Sequence, residues 1–145
     1  MNTRLATLRE VGHHGVPETG LTVAELTIAA SWNLQGDPTR AVFVEEARRL
    51  FDLALPIKAN TTARSDTLTA LWLGPESWLL VAGSASSLTD FTAKRDAVSQ
   101  QGGALFDVST SRVAWTLAGP RAPDVLAKAC PLDFHRRVFA VGACA

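Results

Sequence analysis

Residues 68–82 read LTALWLGPESWLLVA, and this stretch carries the clearest structural signal in the 145-residue sequence. Two apolar runs, residues 68–73 and 78–82, flank Gly74-Pro75-Glu76. Adjacent glycine and proline favour a turn, and short apolar runs on both sides of a turn are typical of paired strands. The segment is therefore predicted to be a β-hairpin of two mostly buried strands.

Upstream of the hairpin, the pattern predicts one strand and one helix. Apolar residues alternate over residues 24–34, which is the period of a strand with one buried face. Asp37 is a predicted N-cap, and Pro38 suits the first helical position. Apolar residues at spacings of three and four then predict an amphipathic helix that ends before Pro56: Phe43, Ala47, Leu50 and Ala54.

Downstream of the hairpin, the pattern predicts a helix, two strands and a last helix. Ser87 and Asp90 resemble a capping box for a helix over residues 88–100, which Gly102-Gly103 ends. Residues 105–109 and 112–118 are predicted strands. Gly119-Pro120 opens the last helix, and Pro131 closes it.

The order of elements over residues 22–109 predicts the fold class. Strand, helix, strand, strand, helix, strand is the βαββαβ order of a ferredoxin-like plait, an α+β fold. The strand and helix that follow start a second α+β unit that the chain does not finish. The predicted organisation is a leader over residues 1–20, a ferredoxin-like domain over 21–110 and an incomplete second unit over 111–145.

The composition narrows the classes of partner. Apolar residues make up 47% of the chain, and Lys+Arg and Asp+Glu both number 14. A packed globular protein without a basic excess is predicted, so neither nucleic acid nor a membrane is an expected partner. The first 15 residues are polar, no apolar run of about 18 residues occurs, and the two cysteines form no disulfide framework. We expect a cytoplasmic protein.

No motif predicts a cofactor or metal site on this chain. The sequence lacks GxGxxG and P-loop patterns, and Gly102-Gly103 more often caps a helix than cradles a phosphate. The histidines and cysteines lack zinc-site spacing: His13, His14, His135, Cys130 and Cys144. Surface histidines and structural thiols are the simpler interpretation.

Two further groups of residues have a structural and a functional interpretation. Asp107 and Ser109, with His135 downstream, could be drawn as a catalytic triad, but residues spaced like this more often form a turn. Core packing is the simpler interpretation for most of the tryptophans, and one on the outer face of a sheet would be a binding candidate: Trp32, Trp72, Trp78 and Trp115. The triplet His135-Arg136-Arg137 is expected to be a solvated surface.

The last strand and helix predict an interface. Each has an apolar side, which includes Trp115 and Leu117 on the strand and Leu126 on the helix. About a dozen residues remain after the helix, too few for a full second sheet at ~5–6 residues per strand. Proteins usually cover such patches with a partner. These three residues are therefore predicted to contact another subunit.

Several motifs together resemble sarcosine oxidase gamma subunits. They are the hairpin residues 71–80, then Asp107-Val108-Ser109, Gly119-Pro120-Arg121-Ala122, Cys130-Pro131-Leu132-Asp133 and the final Val141-Gly142-Ala143-Cys144-Ala145. The Asp-Val-Ser and Gly-Pro-x-Ala pieces are also similar to aminomethyltransferases of glycine cleavage. That similarity implies a second unit of the aminomethyltransferase type, but the acidic folate-side motif of those enzymes is absent.

The resemblance implies a role in a heterotetrameric sarcosine oxidase, which oxidatively demethylates sarcosine to glycine, passes the one-carbon unit to tetrahydrofolate and releases hydrogen peroxide. FAD, FMN, NAD and tetrahydrofolate are expected on the alpha and beta subunits, with a small delta subunit as a further partner. The gamma chain itself is expected to be non-catalytic and to hold no cofactor. A stand-alone folate-binding protein of the aminomethyltransferase type is the alternative.

Overall fold

The structure is a computed structural model that describes the backbone of His13–His14 and residues 20–83 and 89–145. These residues form an α+β fold with two antiparallel sheets. The chain divides into two compact units, and each joins two separate segments. The larger unit is Ile28–Arg112 with Ala140–Ala145, and the smaller unit is the chain up to Thr27 with Val113–Phe139.

This division differs from the boundaries expected from the sequence. Residues 21–27 lie in the smaller unit and residues 140–145 in the larger one, so neither unit is one continuous stretch. Within the expected leader, His13–His14 form strand β1. The remaining leader residues, apart from Gly20, lie outside the described part of the chain.

The described residues of the larger unit form five strands and two α-helices. The strands are β3 (Ala30–Gln35), β4 (Thr62–Arg64), β5 (Leu68–Gly74), β6 (Ser77–Ala82) and β7 (Ala104–Asp107), and the helices are α1 (Ala41–Phe51) and α2 (Phe91–Gln100). The sheet order is β4-β5-β6-β3-β7, and all neighbours are antiparallel. The predicted hairpin is confirmed: β5 and β6 pair from Leu68↔Ala82 to Gly74↔Ser77, with an irregularity between Trp72 and Gly74.

One hydrophobic core lies in this unit. Within β3, β5 and β6 the residues that belong to the core cluster alternate along the strand, and α1 adds residues spaced by four. The cluster includes Trp32, Leu34, Phe43, Ala47, Phe51, Leu68, Ala70, Trp78, Leu80, Val98 and Leu105. A Cβ atom at Gly36 would overlap the ring of Phe43, so this glycine lets the helix residue pack directly against the end of β3.

The first helix is shorter than predicted at both ends. It begins at Ala41, because Asp37 closes the preceding turn by accepting hydrogen bonds from the N–H (2.8 Å) and hydroxyl (2.7 Å) of Thr39. It ends at Phe51, since Asp52 adopts a left-handed conformation with φ of 48°. The predicted stripe is therefore wrong at its last position: Ala54 is exposed.

The second helix also begins later than predicted. Phe91 is its first residue, and Asp90 in the N-cap position has φ of 57° and makes no side-chain cap bond. The capping box is therefore wrong for Asp90: its predicted place is in the first turn, three residues after the cap, whereas Asp90 precedes the helix with a left-handed backbone. Ser87, its other predicted member, lies outside the described residues.

The predicted continuous strand over residues 24–34 is wrong. The structure has two strands, β2 (Thr22–Leu26) and β3, which belong to different sheets. The alternation of apolar residues continues across the break, but the hydrogen-bonding partners change: β2 pairs with residues 114–118, whereas pairing with β6 begins at Ala29. Tertiary pairing, which local alternation does not encode, sets the break.

In the smaller unit the described residues form a three-stranded sheet of order β1-β2-β8, with β8 at Ala114–Ala118, and a helix α3 at Ala122–Leu126. All its pairings are antiparallel. Among its described residues none is buried, in contrast to the larger unit. The predicted last helix is confirmed in place, although after Leu126 it continues only as turns to Ala129.

Candidate partner-binding surface

The predicted interface residues lie in the smaller unit. Trp115 and Leu117 occupy alternate positions of β8, so they share a face of the sheet. The register places Glu25 opposite Trp115 and Val23 opposite Leu117 on that face. We call these four residues the Trp115 face.

The Trp115 face is incompletely covered. Trp115 is 49% exposed, whereas Leu117, Val23 and Glu25 are half-buried. Leu126, the third predicted interface residue, is half-buried on α3. Where the structure describes this unit, four more large apolar residues are exposed: Leu26, Val113, Leu132 and Val138. A large aromatic side chain on such a surface is typical of protein interfaces.

The other tryptophans lie in or against the core of the larger unit, as predicted for most of them. Trp32 and Trp78 are buried, and Trp72 is half-buried against the same cluster. The indole Nε1–H of Trp78 donates to the carbonyl oxygen of Pro56 at 2.8 Å, which satisfies its polar atom inside the core. Core packing therefore accounts for these residues, and Trp115 differs from them by its exposure.

The suspected catalytic residues Asp107 and Ser109 form a turn. The Asp107 carboxylate accepts hydrogen bonds from the hydroxyl (2.6 Å) and the N–H (2.9 Å) of Ser109, and these bonds lower the pKa of Asp107 below its usual range. The Ser109 hydroxyl oxygen also accepts from the N–H of Ser31 at 3.0 Å, which ties the turn to β3. These hydrogen bonds give the pair a structural role in this turn.

His135 makes local contacts in the smaller unit. The backbone N–H of His135 donates to the Asp133 carboxylate at 2.8 Å. The imidazole Nδ1 of His135 accepts from the backbone N–H of Arg137 at 3.3 Å. His135, Arg136 and Arg137 are all exposed, which agrees with a solvated surface.

The glycine pair and the cysteines make contacts within the larger and smaller units. Gly102 has φ of 78°, and its N–H and that of Gly103 donate to carbonyls of the last turn of α2, so the pair caps this helix as predicted. Both cysteines are free thiols, and the Cys144 Sγ lies 3.2 Å from the carbonyl oxygen of Thr61. In the described ranges, no group of three acidic, histidine or cysteine residues could hold a metal ion.

A surface cleft of about 510 Å³ lies at one end of the larger unit's sheet, and sequence reasoning missed it. Three loops line it, contributing Gln35, Gly36, Asp37, Gly74, Pro75, Glu76, Ser77, Gly102, Gly103 and Ala104. The sequence predicts a helix start at Asp37, a turn at Gly74-Pro75-Glu76 and a helix end at Gly102-Gly103, but only the antiparallel strand order brings these three loops together. Asp37 and Glu76 are its ionisable lining residues, and the Thr39 hydroxyl lowers the pKa of Asp37.

The model of the sarcosine oxidase, gamma subunit family matches residues 35–145 of this sequence, which is most of the chain. The chain belongs to the sarcosine oxidase gamma subunit family. No helix in the part of the chain that the structure describes has the length and apolar character needed to cross a membrane.

Individual family members agree with this assignment. The chain is 32% identical over 135 residues to the sarcosine oxidase subunit gamma of Arthrobacter sp and 31% identical over 135 residues to that of Corynebacterium sp. (strain P-1). Both alignments cover 92% of this chain and 65% of the relative. The chain thus spans just under two thirds of the length of these relatives.

The fold is also similar to that of one chain in a solved structure. A chain of the heterotetrameric sarcosine oxidase from Corynebacterium sp. U-96, in complex with pyrrole 2-carboxylate, matches with a TM-score of 0.75 and 29% sequence identity. The match covers 85% of this chain and 62% of that chain. The similarity therefore includes most of the present sequence.

Proposed function

We propose that this family member is a non-catalytic gamma subunit of a heterotetrameric sarcosine oxidase. In this proposal the assembled enzyme converts sarcosine to glycine, transfers the one-carbon unit to tetrahydrofolate and reduces oxygen to hydrogen peroxide. Its partners are the alpha and beta subunits and a small delta subunit, in the cytoplasm. FAD, FMN, NAD and tetrahydrofolate belong to those partners.

One observation carries the proposal: the family match over residues 35–145, on a chain whose fold is similar to a chain of a heterotetrameric sarcosine oxidase. Membership of this family favours a subunit over a stand-alone folate-binding protein of the aminomethyltransferase type.

The use of the polar residues supports a non-catalytic role. Asp107 and Ser109, the residues most suggestive of acid–base chemistry, bond to each other and to β3. Gly102 and Gly103 are used to cap a helix. The gamma chain would act by holding the larger subunits in a fixed geometry, because the positioning of reacting centres is itself a large part of catalysis.

The proposal also assigns a specific fold type to each unit. The order β5-β6-β3-β7, with α1 after β3 and α2 after β6, supports a ferredoxin-like plait in the larger unit, to which β4 adds an edge strand. We propose that the smaller unit is part of a second α+β unit of the aminomethyltransferase type.

The proposal places the contact with a larger subunit on the Trp115 face and on Leu126. The exposure of Trp115 and the lack of a buried residue among the described part of this unit support this location. Covering the exposed half of a tryptophan, roughly 100 Å² of apolar surface, contributes about 2–3 kcal/mol at ~25 cal/mol per Å².

Co-expression tests the proposal. The chain would be produced alone, and together with candidate alpha and beta subunits from the same source, with an affinity tag on the alpha subunit. We expect the chain to co-purify in a fixed ratio, and the assembly to release peroxide from sarcosine. The isolated chain should be colourless and inactive with sarcosine.

Other outcomes would contradict specific parts of the proposal. Failure to co-purify would contradict the subunit role. Flavin absorbance in the pure chain, or peroxide release by the chain alone, would contradict the non-catalytic role. Saturable binding of tetrahydrofolate by the isolated chain would favour the aminomethyltransferase-like alternative.

A further inference from the structure

We draw no further inference here: the strongest candidate, the cleft of about 510 Å³ between the β3–α1 loop, the β5–β6 turn and the α2–β7 loop, has as its ionisable lining residues only the surface carboxylates of Asp37 and Glu76, and nothing in the described part of the chain shows what covers them.

Discussion

The two units of this chain place the same type of residue in opposite environments. Trp78 in β6 is fully buried, whereas Trp115 in β8 is half exposed, although both lie on antiparallel strands. In the larger unit the sheet and two helices supply one core, while the smaller unit has no buried residue in its described part. A strand residue therefore stabilises the fold only where a second layer covers its face.

The largest expected effect comes from Trp78→Ala. This change removes a fully buried ring and leaves the carbonyl of Pro56 without its donor, so we expect the free energy of unfolding to fall by about 3–5 kcal/mol. Urea denaturation followed by circular dichroism measures the loss. The matched variant Trp115→Ala should cost clearly less, about 1–2 kcal/mol, because only about half of its ring is covered within the chain.

A similar loss in both variants would contradict the contrast between the two units. Because Trp78→Ala could abolish folding, Trp78→Phe provides a milder test. It keeps an aromatic ring but removes the N–H donor to Pro56. We expect it to lower stability by less than Trp78→Ala and by more than the matched variant Trp115→Phe, which changes a half-exposed side chain.

The second prediction concerns binding to the larger subunits and not the stability of the chain. Trp115→Asp, and separately Leu126→Asp, should weaken binding to the larger subunits by about 30-fold or more, as the loss of an interface hot spot does at ~2 kcal/mol. The same variants should reduce any self-association of the isolated chain. Co-purification yield and light scattering at micromolar concentration measure the two effects.

Phe106→Asp is the matched control for this prediction. Phe106 is 50% exposed, close to Trp115 at 49%, but lies on β7 of the larger unit. The Phe106→Asp variant should leave binding to the larger subunits unchanged. If the Trp115 and Leu126 variants fold and bind normally, the Trp115 face is not the interface.

The third prediction concerns close packing in the larger unit. A Cβ atom at Gly103 would lie 2.7 Å from the carbonyl oxygen of Gln35 and 2.8 Å from the Val98 side chain. Gly103→Ala should therefore lower the free energy of unfolding by about 1–3 kcal/mol through overpacking. Gly74→Ala is the control, because a Cβ there meets nothing within 4 Å. Equal effects in the two glycine variants would show that the core tolerates the added methyl group.

The smallest effect concerns the Asp107 turn. Since hydrogen bonds from Ser109 lower the folded-state pKa of Asp107, its ionised form stabilises the fold above the unfolded pKa, and this contribution is lost as the pH falls through the folded pKa. Ser109→Ala should raise the pKa of Asp107 in an NMR titration. Thr39→Ala should raise the pKa of Asp37 and leave that of Asp107 unchanged. An unaltered Asp107 pKa in Ser109→Ala would argue against the hydroxyl as its cause.

Local pattern predicted the elements that depend on local interactions. The hairpin around Gly74-Pro75 and the glycine cap after α2 follow from the backbone preferences of glycine and proline. The break after Leu26 did not follow, because the choice of partner strand is a long-range property. Burial is a long-range property too. The sequence predicts a strand around both Trp78 and Trp115, but only the helices packed on the larger unit's sheet make Trp78 a buried residue. The cleft was not predicted either, because its three loops are far apart in the sequence and meet only through the strand order.

The pairing of β2 with β8 has a consequence for the order of folding. The hydroxyl of Thr116 donates to the carbonyl of Ala24 across 92 positions of sequence. Closing a flexible loop of that length costs about 4 kcal/mol in chain entropy, beyond a constant term. The hairpin of β5 and β6, joined by a tight turn, has almost no such cost. We therefore expect the larger unit to collapse first, which shortens the effective loop, and β8 to find β2 as one of the last steps.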